Sequence, residues 1–471
     1  MILEAIRQEL THVRRSPVRL TALGIFFAAS ALAMLAGQRF VDDWSASLDE
    51  ARQQQSESSQ SVHGWFAEGV VGPEDRAWVN VTEPLWQDWY AGTRLGREPA
   101  PLAGIAAGSL DDSPHVARIH RLANPFLEEG TQIENPELGR TEAIDLIFVL
   151  GVFVPLLVGV LGMGCGAYER ESGLVRLIAV QRGRASSWFL ARAGAIAVLA
   201  GVAVLGVVGG AIVGSGAFDR GGMALMAIVL LYTALWAGLF TATAVAARTR
   251  REAALAYGGV WVLLVVLVPT LMSEQALSST VENAGLTTSL DQRAQRYEGY
   301  AEDASVLIER LYSARPDLRG LPAAALETLP PKIERHVYDW SRVQGLVAED
   351  AAKADVERRT MATAEQTMVW SPTVTLTLAV ERLAGRDLHS AMTFRHAVVE
   401  AVAERADWVV EQAWRDAPLS LGDFEGLVDR APTSVRTTSA SVTPHLTVLL
   451  VWAAVAWGIA WVRVRRRETD V

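Results

Sequence analysis

Residues 146–167 read LIFVLGVFVPLLVGVLGMGCGA, and residues 168–192 read YERESGLVRLIAVQRGRASSWFLAR. The first stretch holds no Lys, Arg, Asp or Glu and is as long as a helix crossing a hydrocarbon layer, which takes about 20 apolar residues. The second carries five arginines, and another long apolar stretch follows at once. Two apolar runs joined by a short basic loop are the pattern of membrane helices with the loop on the positively charged side. Five further stretches, 20–38, 193–218, 221–247, 253–272 and 443–462, are equally free of Lys, Arg, Asp and Glu. The expected fold is mainly α: a polytopic membrane protein with six transmembrane helices. Arg14, Arg15 and Arg19 precede the first stretch as they would in a signal peptide, but Gln38, Arg39 and Phe40 follow it in place of a small-residue cleavage site, so it reads as a retained span.

The chain has 471 residues, is 50% hydrophobic and 20% charged, and has a formal net charge of −10. With the N-terminus inside, segments 1–19, 168–192, 248–252 and 463–471 hold 16 arginines and seven acidic residues, a net of +9, and the remainder carries −19. That asymmetry places both termini on the inner, cytoplasmic side. The expected organisation is a cytoplasmic amphipathic helix (1–19), a first span (20–38), an extracytoplasmic domain (39–143) and spans two to five (144–272) around a cytoplasmic loop (168–192). A second, helical extracytoplasmic domain (273–442), a sixth span (443–462) and a cytoplasmic tail (463–471) complete it.

In the first outer segment a polar, helix-like stretch over 42–61 precedes Trp65, Phe66, Trp78, Trp86, Trp89 and Tyr90. These rings suit a small core or the headgroup level of a membrane, with a sugar- or peptide-binding platform as the sharper alternative. In the second, helical periodicity runs over 289–314, 331–367 and 396–414, with breaks at Pro316, Leu321-Pro322, Pro330-Pro331 and Ser371-Pro372. A Thr/Ser-rich linker spans 432–443. No repeat relates the two segments.

Several chemistries are excluded. The single cysteine, Cys165, permits no internal disulfide and no multi-cysteine metal site. A P-loop needs a lysine at the phosphates, and the only lysines, Lys332 and Lys353, lie in the second outer segment. The eight histidines form no H-E-x-x-H pair, and no G-x-S-x-G elbow is present. The apolar stretches carry no Lys, Arg, Asp or Glu of the kind that ion-coupled transporters place within the bilayer. No catalytic residue, metal site or nucleic-acid partner is expected, and any ATP and Mg would belong to a separate subunit.

Two basic-side elements invite contact. Ile2, Leu3, Ile6, Leu10 and Val13 recur at helical spacing among charges, which suits a helix lying along the membrane surface or extending the first span. In the loop, Leu174, Leu177, Ile178 and Gln181 share one side of a short helix, fit for a partner's groove or for the lipid surface.

The run Glu169, Glu171, Gly173 and Ile178 resembles the coupling region of type-2 ABC exporter permeases, with Leu174 where the family usually has threonine. Asn135-Pro136, Asp145-Leu146-Ile147-Phe148-Val149 and Pro155-Leu156 are similar to the approach to that region. Pro101-Leu102-Ala103, Gly108, Asp111 and Pro114 fit the same block. Ser371-Pro372, Leu383-Ala384-Gly385, Asp387 and Phe394 resemble a second block of one bacterial subfamily, which has two large extracytoplasmic insertions and is grouped as a domain of unknown function. The resemblance implies a permease subunit, itself no enzyme, working in the membrane lipid as a homo- or heterodimer. It would dock an ABC ATPase subunit through Glu169, Glu171, Gly173, Leu174, Leu177 and Ile178. The competing expectation is a mechanotransmitter or scaffold that moves its outer segments against envelope partners and transports nothing.

Overall fold

The structure, a computed structural model, describes residues 2–108, 114–128, 144–182, 185–272, 302–430, 432–436 and 441–468. The chain is mainly helical, and six helices are long and apolar enough to cross a membrane. They are α2 (Pro17–Glu68), α4 (Leu146–Glu171), α6 (Ala185–Ser215), α7 (Arg220–Ala246), α8 (Arg250–Met272) and α14 (Thr443–Glu468). Each holds all or nearly all of one of the apolar stretches, α6 and α7 ending up to three residues short. Short polar side chains start several of them: Ser16 accepts from the Arg19 amide, Asp145 from Phe148, Asp219 from Gly221 and Gly222, and Thr249 from Glu252. Helix α7 is the centre of the bundle, with Tyr232 and Trp236 fully buried, and it packs along α6 and α14.

The first span does not stop at Gln38. Helix α2 continues unbroken to Glu68, where Gly69 ends it in a left-handed conformation (φ 72°). Its 52 residues make a rod about 78 Å long at 1.5 Å per residue. The polar stretch over 42–61 is therefore its second half and not a separate helix. No proline or glycine pair interrupts the helix where hydropathy falls, so the backbone carries on while the side chains change solvent. A close approach fixes the rod's place: a Cβ on Gly37 would collide with the Gly104 carbonyl oxygen.

Proline reshapes two spans. Helix α4 widens into a π turn over Val149–Phe153 just before Pro155, and α8 does so over Val262–Leu267 just before Pro269. Proline has no amide hydrogen to offer the preceding turn, so carbonyls there lose their partners. Hydroxyls take over: Tyr232 donates to the Gly151 carbonyl at 2.8 Å and Ser371 to that of Leu264 at 3.2 Å, while Tyr257 adds a bond to the carbonyl of Pro155 itself at 2.7 Å.

The segments on either side of the spans form one polar body rather than two separate domains. Strand β1 (Thr93–Glu98) pairs antiparallel with β2 (Val116–Ile119) and parallel with β3 (Ser434–Arg436), so both segments share one sheet. Around it lie α3 (Pro84–Ala91), α9 (Ala304–Ala314), α10 (Pro331–Thr367), α12 (Leu388–Arg415) and α13 (Leu421–Arg430). Helix α10 has the bounds read from the sequence, α12 contains the 396–414 stretch, and of 289–314 only the part from residue 302 lies among the described residues. Trp65, Phe66, Trp86 and Tyr90 pack against a core of Val62, Val79, Val81 and Trp408, while Trp78 is exposed. The aromatic cluster is thus mostly core.

This body buries charge in its middle. Arg121 pairs with Asp88 at 3.3 Å and Asp339 at 2.9 Å, and Arg405 lies 3.8 Å from Asp88. Burial pushes the Asp88 carboxyl up and the Arg405 guanidinium down, and the opposite charges beside each pull it back. Burial, with nearby arginines, pushes His336 down to about 3 and His120 to about 4.

Candidate functional site at the arginine-rich end

Helix α1 (Ile2–Arg15) docks on the bundle, with Ala5 packed against Ala191 and Ala195 and with Val13 in the core. Its apolar stripe is divided: Ile2, Leu3 and Leu10 remain exposed, whereas Ile6 is half-buried. That suits a helix with one side on protein and another free for an apolar surround. Docking buries Glu9 completely. Arg192 of α6 forms ion pairs with both Glu9 and Glu169, and Arg19 of α2 lies 3.4 Å from Glu9.

Glu169 also accepts from the Gly166 amide at 3.1 Å, and Arg192 donates to the Gly164 carbonyl at 3.2 Å. The chain breaks helix over 163–166 and turns with Gly166 at φ 77°, a conformation open to glycine. Two carboxylates and two arginines thus pin α1, α2, α4 and α6 together. Such a cluster holds only while complete, because a buried charge without its partner costs several kcal/mol.

Next to it, Arg170 donates to the Ala244 and Val245 carbonyls at the end of α7, where cations suit the helix dipole. Arg250 of α8 lies 3.9 Å over the Tyr168 ring and 3.7 Å from Glu171. The short helix α5 (Leu174–Arg182) follows Gly173, itself at φ 72°. Val175 is buried, Ile178 is half-buried, and Leu174, Leu177 and Val180 are exposed, the last two at 53% and 84%.

The six residues read from the sequence therefore divide by position. Leu174, Leu177 and Ile178 stand on the outward side of α5, and Glu171 is exposed beside Arg250. Gly173 turns the chain between α4 and α5 with no atom near its missing Cβ. Glu169 is 4% exposed and holds the ion cluster, so it can position the loop but offers no outward contact. Glu9, Arg19, Arg192 and Val180 were not singled out. The arginines count in the sequence only as charge near span ends, and no local pattern joins Glu9 to Arg192.

At the opposite end, the other motif blocks meet. Helix α11 (Pro372–Leu383) packs into the bundle core through Leu376, Ala379 and Val380. Thr373 shares the Tyr232 hydroxyl at 3.1 Å, and Arg97 of β1 donates to the Gly385 carbonyl at 2.5 Å. Asp145 is a buried N-cap that also accepts from the Gly108 amide at 3.3 Å. Residues 97–108, 145–155 and 371–385 thus form one junction between bundle and polar body. Asp111 and Asn135-Pro136 lie outside the described residues.

The chain matches no protein-family model, no curated protein and no solved structure.

Proposed function

We propose that this chain is the membrane-spanning subunit of an ATP-driven exporter of the type-2 ABC class. It would sit in a bacterial inner membrane with both termini cytoplasmic and the polar body outside. A partner ATPase would dock on α5, and a second permease copy or a homologue would complete the transporter. One observation supports this reading: a short helix with exposed Leu174, Leu177 and Val180, next in the chain to a buried ion cluster that ties α1, α2, α4 and α6 together. A small apolar face on a rigid base is suited to receive a push from a protein groove. The exposed side chains of α8 (Leu255, Leu263, Leu267 and Leu271) fit a lipid surround or a second copy.

The test is co-purification from native membranes. Wild-type protein should bring down an ATPase, and the double substitution Leu177→Glu with Val180→Glu should release it without aggregating the permease. Recovery of no ATPase in either case would sink the reading.

A specific observation also supports the non-transporting alternative. Helix α2 runs unbroken from the basic end into the polar body, so motion at α1 would reach the outer end without a hinge. Vesicle transport and envelope crosslinking, measured on the same preparation, separate export from force transmission.

A further inference from the structure

Helix α1 has three sides, and the bundle takes only one of them. Ala5, Glu9 and Val13 face the bundle and are buried. Glu4, Gln8, Thr11 and Arg15 make a polar side. Between these lie Leu3, Arg7, Leu10 and Arg14, which at 3.6 residues per turn fall within about 60° of one another. All four are exposed, Leu3 at 76% and Leu10 at 47%. The stripe is about 17 Å long and alternates leucine with arginine along its length. It differs from the apolar face legible in the sequence, because Val13 is spent on the core and Ile6 is half-buried.

The charges of the stripe are available. Neither Arg7 nor Arg14 has an ion-pair partner among the described residues, and Glu9 of the same helix turns inward to Arg192 and Arg19. The docking of α1 also sets its level. Ala5 rests on Ala191 and Ala195 of α6, which straddle residue 193, where the apolar stretch of that helix begins. The chain then enters α2 at Pro17, three residues before its own apolar stretch, with Val18 and Leu20 exposed. A helix held where two spans change from charged to apolar lies at the headgroup level of a bilayer. An uncharged partner covering the stripe would strand two guanidiniums without an acceptor. Anionic headgroups accept from both while the leucines reach the acyl boundary.

We infer that the stripe of Leu3, Arg7, Leu10 and Arg14 binds anionic phospholipid in the leaflet at the arginine-rich end, with the two guanidiniums on headgroup phosphates. The inference rests on the reading of the long helices as membrane spans and needs no partner ATPase.

Hydrogen exchange along residues 2–15 of the full chain tests it, in nanodiscs of phosphatidylcholine and of a phosphatidylcholine–phosphatidylglycerol mixture. In the wild type the anionic lipid should slow exchange at least about fivefold, the effect of about one arginine near an anionic surface. High salt should remove the difference. Arg7→Gln with Arg14→Gln should bring the two nanodiscs to within about twofold of each other, with the melting temperature in phosphatidylcholine unchanged because both side chains are exposed. Arg15→Gln, the same loss of charge on the polar side, should keep the wild-type preference.

No slowing by phosphatidylglycerol in the wild type, slowing that survives the double substitution, or an equal loss in Arg15→Gln would overturn the assignment. So would a double variant that keeps its lipid preference but sheds the ATPase, which would give the stripe to a protein groove. A chain that does not enter nanodiscs would overturn the membrane reading as well, whereas recovery of no ATPase from native membranes bears on the exporter reading alone.

Discussion

The two ends of the helical bundle are tied by different chemistry. At the arginine-rich end, four charged side chains (Glu9, Arg19, Glu169 and Arg192) bind α1 to three of the long helices. Toward the polar-body end, where Arg97 and Asp145 bond to uncharged backbone groups, hydroxyls add neutral ties: Tyr232 and Ser371 fill carbonyls that Pro155 and Pro269 leave open, and Tyr257 donates to the Pro155 carbonyl. An ionic tie is strong when complete and severely destabilising when one member goes, whereas a neutral tie loses little more than one hydrogen bond. The first suits an element that must move as one piece. The second suits a helix that bends, since each hydroxyl can be released and remade separately.

The comparison can be broken most sharply at Arg192. Arg192→Leu strands the buried Glu169 carboxylate, leaves Glu9 with Arg19 alone, and should cost about 3–5 kcal/mol, read as a large loss of melting temperature in detergent. Adding Glu169→Gln, which leaves Glu9 paired with Arg19, should restore most of it, and failure to do so would mean that the cluster is not the tie.

Acid should loosen the body before the basic end. His336, with its pKa pushed down to about 3, takes up a proton less readily folded than unfolded. Stability is therefore level above the unfolded value near 6.5 and falls as pH drops below it, continuing to the folded value. One such group costs about 2 kcal/mol between pH 6.5 and 5. Hydrogen exchange along α10 should show the loss, and His336→Gln should flatten that slope.

A smaller effect is expected from the neutral end. Tyr232→Phe removes the donor to Gly151 and the contact with Thr373, and should cost about 1 kcal/mol, as for hydrogen bonds between membrane helices. A cost as large as that of Arg192→Leu would erase the distinction between the ends. The smallest stability effect belongs to the exposed face of α5, where Leu177→Glu should shift stability by no more than about 0.5 kcal/mol. Its effect should fall on ATPase recovery alone.

What could be read in advance follows one physical line. Apolar stretches and breaks are local, so the six long helices and the bounds of α10 at Pro330-Pro331 and Thr367 were legible, whereas Asp145, Ser371 and Asp387 were read as motif residues and only the structure shows them as caps. Strand β1, TRLGRE, was not, because two arginines and a glycine make it look like loop until Leu95 and Arg97 are seen buried. The continuation of α2 past Gln38 was hidden for the converse reason: hydropathy changes there and helix propensity does not. Of the six residues taken for the coupling region, Leu174, Leu177 and Ile178 could be placed by periodicity. The interior position of Glu169 depends on Arg192.

By itself, the sequence determined where apolar surface must be removed from water, and with that the number of long helices and the sign of charge at each of their ends. These properties depend on neighbours along the chain. Only the tertiary structure decided which charges are spent internally. It joined Glu9 to Arg192, Asp88 to Arg405 and Tyr232 to Gly151, and it merged two polar segments through β1 and β3. A carboxylate at a span end reads the same whether it faces water or an arginine from another helix, and burial, which settles that, is a property of the packed molecule.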